Sequence, residues 1–418
     1  MSETILPKYI QDHLDRISRE NGFIDYSMEV KQGTQVGEGF MSELSCITIT
    51  ERNDEKQLHL ICKVAPFAKN RRKEFISDMA FAREADFYTK VMPCFDKFQK
   101  EKSLSKDDQF LSYPKCYGAT IDHENEHYAI ILEDLRPQQF KMWPKVKTSP
   151  IENARLSMRE IGKFHALSFA MKDQRPQEFA EFKKFTDLFK HFFESKTSQV
   201  MLETSYDQAI AALKREDHKN ILRKLKDNFL EYFDECLNEK SANYFGVICH
   251  GDFWNNNILF KFDENDIAQD IRCLDWQILR YGSPAIDIVY NLFTSTDKTL
   301  RDKDYDNLLQ LYYKSLSKTI RLLGSNPDEL FTFDNLQFEL KRCGLYVPLL
   351  APILIQISQA SLSDLTNLDD MCDKAVNGEK NSDGLVGDLS GKAQLEFERR
   401  LNGVFEDVVE LGYCEKIL

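Results

Sequence analysis

The sequence predicts an α+β fold in two lobes, a small N-terminal lobe with an antiparallel sheet and one main helix, and a larger, mostly helical C-terminal lobe. Three observations predict it. Strand-like stretches with short joins follow one another before residue 66, helical periodicity dominates from Pro150 onward, and 418 residues suffice for two cores. We place the division after Leu135, giving lobes of residues 1–135 and 136–418.

The totals restrict the partners. Lysine plus arginine number 55 against 68 aspartates plus glutamates, and the formal charge of −13 disfavours nucleic acid or an anionic membrane surface as a partner. The ten cysteines form no C-x-x-C pair and follow no apolar leader, the pattern of reduced thiols in the cytoplasm. The longest apolar run, residues 346–357, is too short for a membrane span and carries Pro348 and Pro352, so it reads as a buried core segment. No obligate protein partner is evident.

Taken in order, residues 5–18 place Ile5, Leu6, Tyr9, Ile10, Leu14 and Ile17 at helical spacing, and Gly22 stops that helix. Residues 24–30, 41–52 and 57–66 alternate or are β-branched, as in an antiparallel meander. Between the first two strands, Gly37 and Gly39 would let backbone N–H groups approach a polyphosphate, although a plain hairpin turn is the commoner meaning of such text. The G-x-G-x-x-G pattern is incomplete, because Ser42 stands where its last glycine would fall; Ser42 and the backbone amides are therefore the expected phosphate contacts.

Lys63 lies inside the third strand, where a lysine is costly to bury without a partner. The helical text over residues 73–92 carries Glu84 near its middle, and Glu84 is the chosen partner. Glu74, beside the basic cluster at residues 69–73, reads as a surface residue, and residues 96–109 as a surface excursion. Residues 127–135 form a buried strand ending in Glu133, Asp134 and Leu135, whose extended backbone can serve as a hinge that hydrogen-bonds an adenine ring. Residues 151–172 then form a helix with His165 as an interior histidine, and Phe182, Phe185, Phe189 and Phe192 recur as a core-facing stripe.

The chemistry concentrates in residues 247–260, VICHGDFWNNNILF, which read as strand, loop, strand. His250, Asp252 and Asn257 stand at the H-x-D-x-x-x-x-N spacing of the catalytic loop in phosphoryl-transferring kinases. Asp252 would accept the proton of an attacking hydroxyl, and spacing from Asp252 selects Asn257 over Asn255 and Asn256 as a magnesium ligand. His250 becomes a scaffold residue. Asp275, at the end of the next strand and a short hairpin away, supplies a second hard oxygen ligand for magnesium bridging ATP phosphates. Asp287, in a helix opened by Ser283 and Pro284, has a structural role, bonded to the backbone of the catalytic loop. Residues 377–391 read as a loop before a last helix over 393–411.

Lys63 in LICKVAP, Glu84 in FAREADFY, the ILEDL hinge, H-G-D-x-W-x-x-N at His250 to Asn257 and L-D-W-Q at Leu274 to Gln277 together resemble the ecdysteroid kinase-like group, also called CHK kinase-like. The resemblance runs from the Gly-rich loop to the final helices. It implies a bilobal protein-kinase-like fold similar to aminoglycoside and choline kinases. It also implies ATP-dependent phosphorylation of a hydroxyl on a small molecule, with ecdysteroids as the characterised substrate type. Against a protein kinase, Gly251 replaces the arginine that would receive an activation-loop phosphate, Trp276-Gln277 replaces Phe-Gly, and no Ala-Pro-Glu follows. The alternatives are an idle nucleotide-binding scaffold and a kinase of an aminoalcohol such as choline.

Overall fold

The strand-like text before residue 66 folds into the first three strands of the N-terminal sheet. In the computed structural model, which describes residues 6–33, 42–237, 245–379 and 384–418, five antiparallel strands pair in the order β1-β2-β3-β5-β4. They are β1 (Tyr26–Gln32), β2 (Glu43–Glu51), β3 (Gln57–Val64), β4 (Cys116–Asp122) and β5 (His127–Glu133). Helix α1 (Lys8–Glu20) packs Ile10, Leu14 and Ile17 on one face, in a cluster with Ile47, Ile49, Leu60, Cys62, Val64, Ala129 and Ile131. Tyr128, Ile130 and Leu132 join the main core on the other face. Since successive side chains alternate, Lys63, between Cys62 and Val64, is turned away from α1 and toward that second face.

The continuous helix expected over residues 73–92 is broken. The chain forms α2 (Lys69–Glu74), α3 (Ser77–Asp86), a π-helical turn (Phe87–Val91) and α4 (Met92–Glu101). The break falls at Ile76, a β-branched residue held at φ 45°, where buried Phe75 packs 5.3 Å from the Phe192 ring. The surface excursion expected from residue 96 begins instead inside α4, whose Phe98 and Gln99 are fully buried, and β4 follows unforeseen.

Glu74 is not a surface residue. It is buried, and its Oε2 accepts from the Thr197 N–H at 3.1 Å and the Thr197 hydroxyl at 2.8 Å. The basic neighbours that suggested exposure pair elsewhere, Arg71 with Asp369 and Arg72 with Glu126. Thr197→Val keeps the side-chain shape and removes one donor to this carboxylate, and is expected to cost about 1.5–3 kcal/mol in denaturant titrations; a solvated Glu74 would leave stability unchanged.

Beyond the sheet the chain is mainly helical. Helix α5 (Ile151–Gln174) is buried along most of its length and packs along the helix Lys298–Leu322. Short strands β6 (Phe140–Met142), β8 (Ile258–Phe262) and β9 (Ala268–Cys273) form one small sheet, while β7 (Val247–Cys249) pairs with β10 (Arg280–Gly282). Residues 247–260 are thus strand, loop, strand as expected. The phenylalanine stripe is divided between two short helical turns, Ala180–Lys184 and Phe189–Phe193, with Phe182 and Phe185 buried. The apolar run forms the buried helix Tyr346–Gln359 with Pro352 inside it, and among the described residues no single helix is long and apolar enough to cross a membrane. The last helix is Gly391–Glu410.

Candidate active site

Lys63 is 6% exposed and its ammonium bridges two carboxylates, Glu84 Oε2 at 2.7 Å and Asp275 Oδ1 at 2.8 Å. β3 presents the lysine on the face covered by α3, and α3 presents Glu84, which is fully buried, on the opposing side. Burial alone would depress the lysine; Asp275 and Glu84 reverse this and hold it above its ordinary value. Glu84 is pushed up by burial, with Lys63 acting against the shift. Breaking such a buried cluster by removing one partner leaves an uncompensated charge.

The β8–β9 hairpin brings the other acid and amide to the same end of the fold. Ile258 pairs with Cys273, and the Leu274 N–H donates to Asn257 O at 2.8 Å, so Asn257 stands opposite Leu274 and Asp275 follows one residue on, at the same end of the hairpin. Asp275 sits at φ 62°, a left-handed turn that ends the extended run. Asn257 donates Nδ2 to Asp252 Oδ2 at 2.7 Å and to Asp252 O at 3.0 Å, and its Oδ1 accepts no hydrogen bond from the described residues. Tyr290 donates its hydroxyl to Asp252 Oδ1 at 2.5 Å. Burial pushes the Asp252 carboxyl up to about 6 and the Asp275 charge adds to this, while hydrogen bonds from Tyr290 and Asn257 restrain it.

The loop that carries Asp252 is held from beneath. Asp287 is fully buried and accepts from the His250 N–H at 2.7 Å, the Gly251 N–H at 2.9 Å and His165 Nε2 at 3.1 Å. His165 Nδ1 in turn meets the Tyr312 hydroxyl at 2.9 Å. His250 has its Nε2 3.0 Å from Leu274 O, its ring beside Trp276, and burial lowers it to about 4, so it acts as neutral scaffold. Trp276 is fully buried and stacks on Phe87 of the π-helical turn, centroids 3.7 Å apart, tying the end of the Glu84 helix to the segment after Asp275.

The remaining expected residues divide between the hinge and the lid. At the hinge, the Glu133 N–H donates to Lys115 O and the Leu135 carbonyl accepts from Gln138 and Phe140, so the groups left for a ligand are the Glu133 carbonyl and the Leu135 N–H. The Glu133 side chain is bonded to Gln138 Nε2 at 2.6 Å. Ser42 is buried just before β2, opposite the Lys63 end of β3. Gly37 and Gly39 lie outside the described residues. For magnesium the donor set is suitable, since Asn257 Oδ1 and the Asp275 carboxylate are hard oxygens at one hairpin end.

Sequence reasoning missed Tyr290, Arg280 and Asp187. Tyr290 carried a signal, standing three residues after Asp287 on one helix face. Arg280 is 1% exposed at the start of a short buried strand, a buried charge as Lys63 is.

This combination of a five-stranded sheet, a buried Lys–Glu pair and a loop bearing Asp252 and Asn257 is that of a protein-kinase-like fold. The profile of the ecdysteroid kinase-like family matches residues 36–325, more than half of the chain, and the chain belongs to that family. The final helices, which the resemblance was expected to include, fall outside the match. The chain is also similar to a 4-hydroxytryptamine kinase of Psilocybe cyanescens, 32% identical over 91 residues, which cover 20% of this chain and 24% of that protein. The match therefore spans about a quarter of the length of that curated relative.

Proposed function

We propose that this protein is a small-molecule kinase that transfers the γ-phosphate of ATP to a hydroxyl group, with residues up to 135 forming the nucleotide lobe and 136–418 the lobe that binds the acceptor. The observation that carries this reading is the meeting of Lys63, Glu84 and Asp275 in one ion-pair cluster beside the bonded pair Asp252–Asn257. Phosphoryl transfer requires positioning and charge neutralisation more than covalent help.

Lys63 would release Asp275 to grip the α- and β-phosphates while keeping Glu84. Asn257 Oδ1 and the freed Asp275 carboxylate would hold magnesium, which neutralises charge on the phosphate oxygens. Ser42 with the amides of Gly37 and Gly39 would cover the phosphates, and the Glu133 carbonyl and Leu135 N–H would meet the adenine. Asp252 accepts the acceptor's hydroxyl proton as the new O–P bond forms and the bond between the γ-phosphorus and the bridging oxygen breaks, releasing ADP. Its carboxyl, at about 6, is mostly ionised at neutral pH.

The acceptor is an ecdysteroid or a similar polar sterol or xenobiotic, in keeping with the family. The matched segment of the 4-hydroxytryptamine kinase favours a second acceptor class, a hydroxylated aromatic amine. ADP release, measured with ATP and magnesium against a panel of ecdysteroids, hydroxyindole amines and choline, separates these. Turnover with one class assigns the acceptor. ATP binding without turnover on any of them supports an idle scaffold instead.

A further inference from the structure

The catalytic loop is also held from a side that Asp287 does not reach. Gly251 sits at φ +89°, and a Cβ there would stand 2.1 Å from Ile278 O, so the chain at 278–280 runs directly against it. Arg280 of that segment donates Nη2 to Gly251 O at 2.8 Å and to the Tyr346 hydroxyl at 3.0 Å, and Nη1 to Asp187 Oδ1 at 2.7 Å. Its guanidinium lies between the rings of Phe189 and Tyr346, at 5.4 and 5.7 Å from their centroids. Asp187 also accepts from the Phe189 and Lys190 N–H groups at 3.3 and 3.1 Å, starting the short helix Phe189–Phe193.

The same segment is gripped from the sheet side. Arg83, next to Glu84 on α3, donates Nη1 to Thr186 O at 2.9 Å and to Leu279 O, each one residue from Asp187 and Arg280. Its guanidinium stands 5.0 Å from the Phe185 ring centroid. Two guanidinium groups therefore clasp one ribbon, one reaching from the helix of Glu84 and the other from beneath Asp252.

We propose that Arg83, Asp187 and Arg280 form a staple that holds the Glu84 helix and the catalytic loop in register, with Arg280 the positioning residue of Asp252. The inference rests on the assignment of Asp252 as the proton acceptor. Among the described residues, Asp187 is the acid bonded to Arg280, and that pair is 12% and 1% exposed at the side chains. A buried pair of this kind is costly to break and holds one geometry. The anion that fixes the loop is thus a permanent carboxylate, and the loop needs no phosphorylated residue to be held in place.

The test uses the full chain with its working acceptor. Asp187→Asn keeps an acceptor for one of the Phe189 and Lys190 amides, which bond different oxygens of the carboxylate, and removes the charge facing Arg280. We expect kcat to fall by about 10²-fold, the scale of a small misplacement of a reacting group, with the KM for ATP unchanged. Hydrogen–deuterium exchange should rise in residues 248–258 and stay constant in β1 to β3. Arg83→Gln, at a half-buried side chain, opens the other end of the staple, should act in the same direction, and decides the matter if Asp187→Asn does not fold. Unchanged exchange across 248–258 in the folded variants, or loss of kcat only in proportion to loss of folded protein, overturns the staple. Should the wild-type protein phosphorylate none of the acceptors, the functional reading fails, and the exchange measurement alone decides the staple.

Discussion

Asp252→Ala is expected to lower kcat for acceptor phosphorylation by about 10²–10⁴-fold, the usual contribution of a positioned general base, and to leave ATP and magnesium binding in place. Asp252 is the acid of the site whose two oxygens are both oriented by neutral donors, Tyr290 at Oδ1 and Asn257 at Oδ2, so its lone pairs are aimed and the carboxylate is not neutralised by a bound cation. Asp275, by contrast, has Lys63 on its Oδ1. The two acids therefore suit different tasks, proton acceptance and metal holding. Asp252→Asn separates orientation from basicity, because its carbonyl still accepts from Tyr290 while its amide confronts the Asn257 Nδ2. Initial rates with a confirmed acceptor, alongside thermal shifts on adding ATP and magnesium, check both variants. Full phosphoryl transfer by Asp252→Ala would sink the role assignment.

Where the candidate site lies in contiguous text, the sequence is enough to single out its residues. Lys63 is legible because a charged residue interrupts an apolar strand of period two, and Asp252 and Asn257 because their spacing is short and fixed. Asp275 follows from the hairpin, since Ile258 pairs with Cys273 and Asp275 stands two residues beyond that pair. What stayed hidden depends on partners far away in the chain. Glu74 looked solvated beside lysines and arginines, but its partner Thr197 is 123 residues on, and the basic side chains turn to Asp369 and Glu126. Arg280 and Asp187 are 93 residues apart, and neither stands at a spacing that suggests the other. The helix break at Ile76 was illegible for a related reason: helical periodicity runs through it, and the left-handed turn is imposed by packing of Phe75 on Phe192. Local pattern singled out the residues that meet at the candidate site, whereas tertiary contacts chose those that hold them.

Asp287→Ala is expected to be the most destabilising of these changes, by about 2–6 kcal/mol, because it strands two buried backbone N–H groups, each worth about 1–3 kcal/mol when left unsatisfied. Those groups belong to His250 and Gly251, so the loss of stability should come with loss of activity even in the fraction that folds. His165 would also lose the acceptor at its Nε2 and be left with Tyr312 on its other nitrogen. Asp287→Asn should be milder, since its carbonyl can accept from one amide while its NH₂ faces the second. Acid should affect the wild type and the variant differently. Burial pushes the Asp287 carboxyl up, but the hydrogen bond and charge of His165 and the Gly251 amide outweigh it, and the group lies below its ordinary value. A carboxyl depressed on folding stabilises fully above its unfolded value of about 4 and loses that contribution as pH falls through the folded value. Wild-type stability should therefore decline on acidification below about pH 4 by an increment that Asp287→Ala lacks. Guanidinium midpoints for both proteins at neutral pH, with thermal melts through the acid range, measure the two effects. A variant as stable as the wild type at neutral pH would mean that the catalytic loop finds its support elsewhere, with Arg280 at the Gly251 carbonyl the remaining candidate.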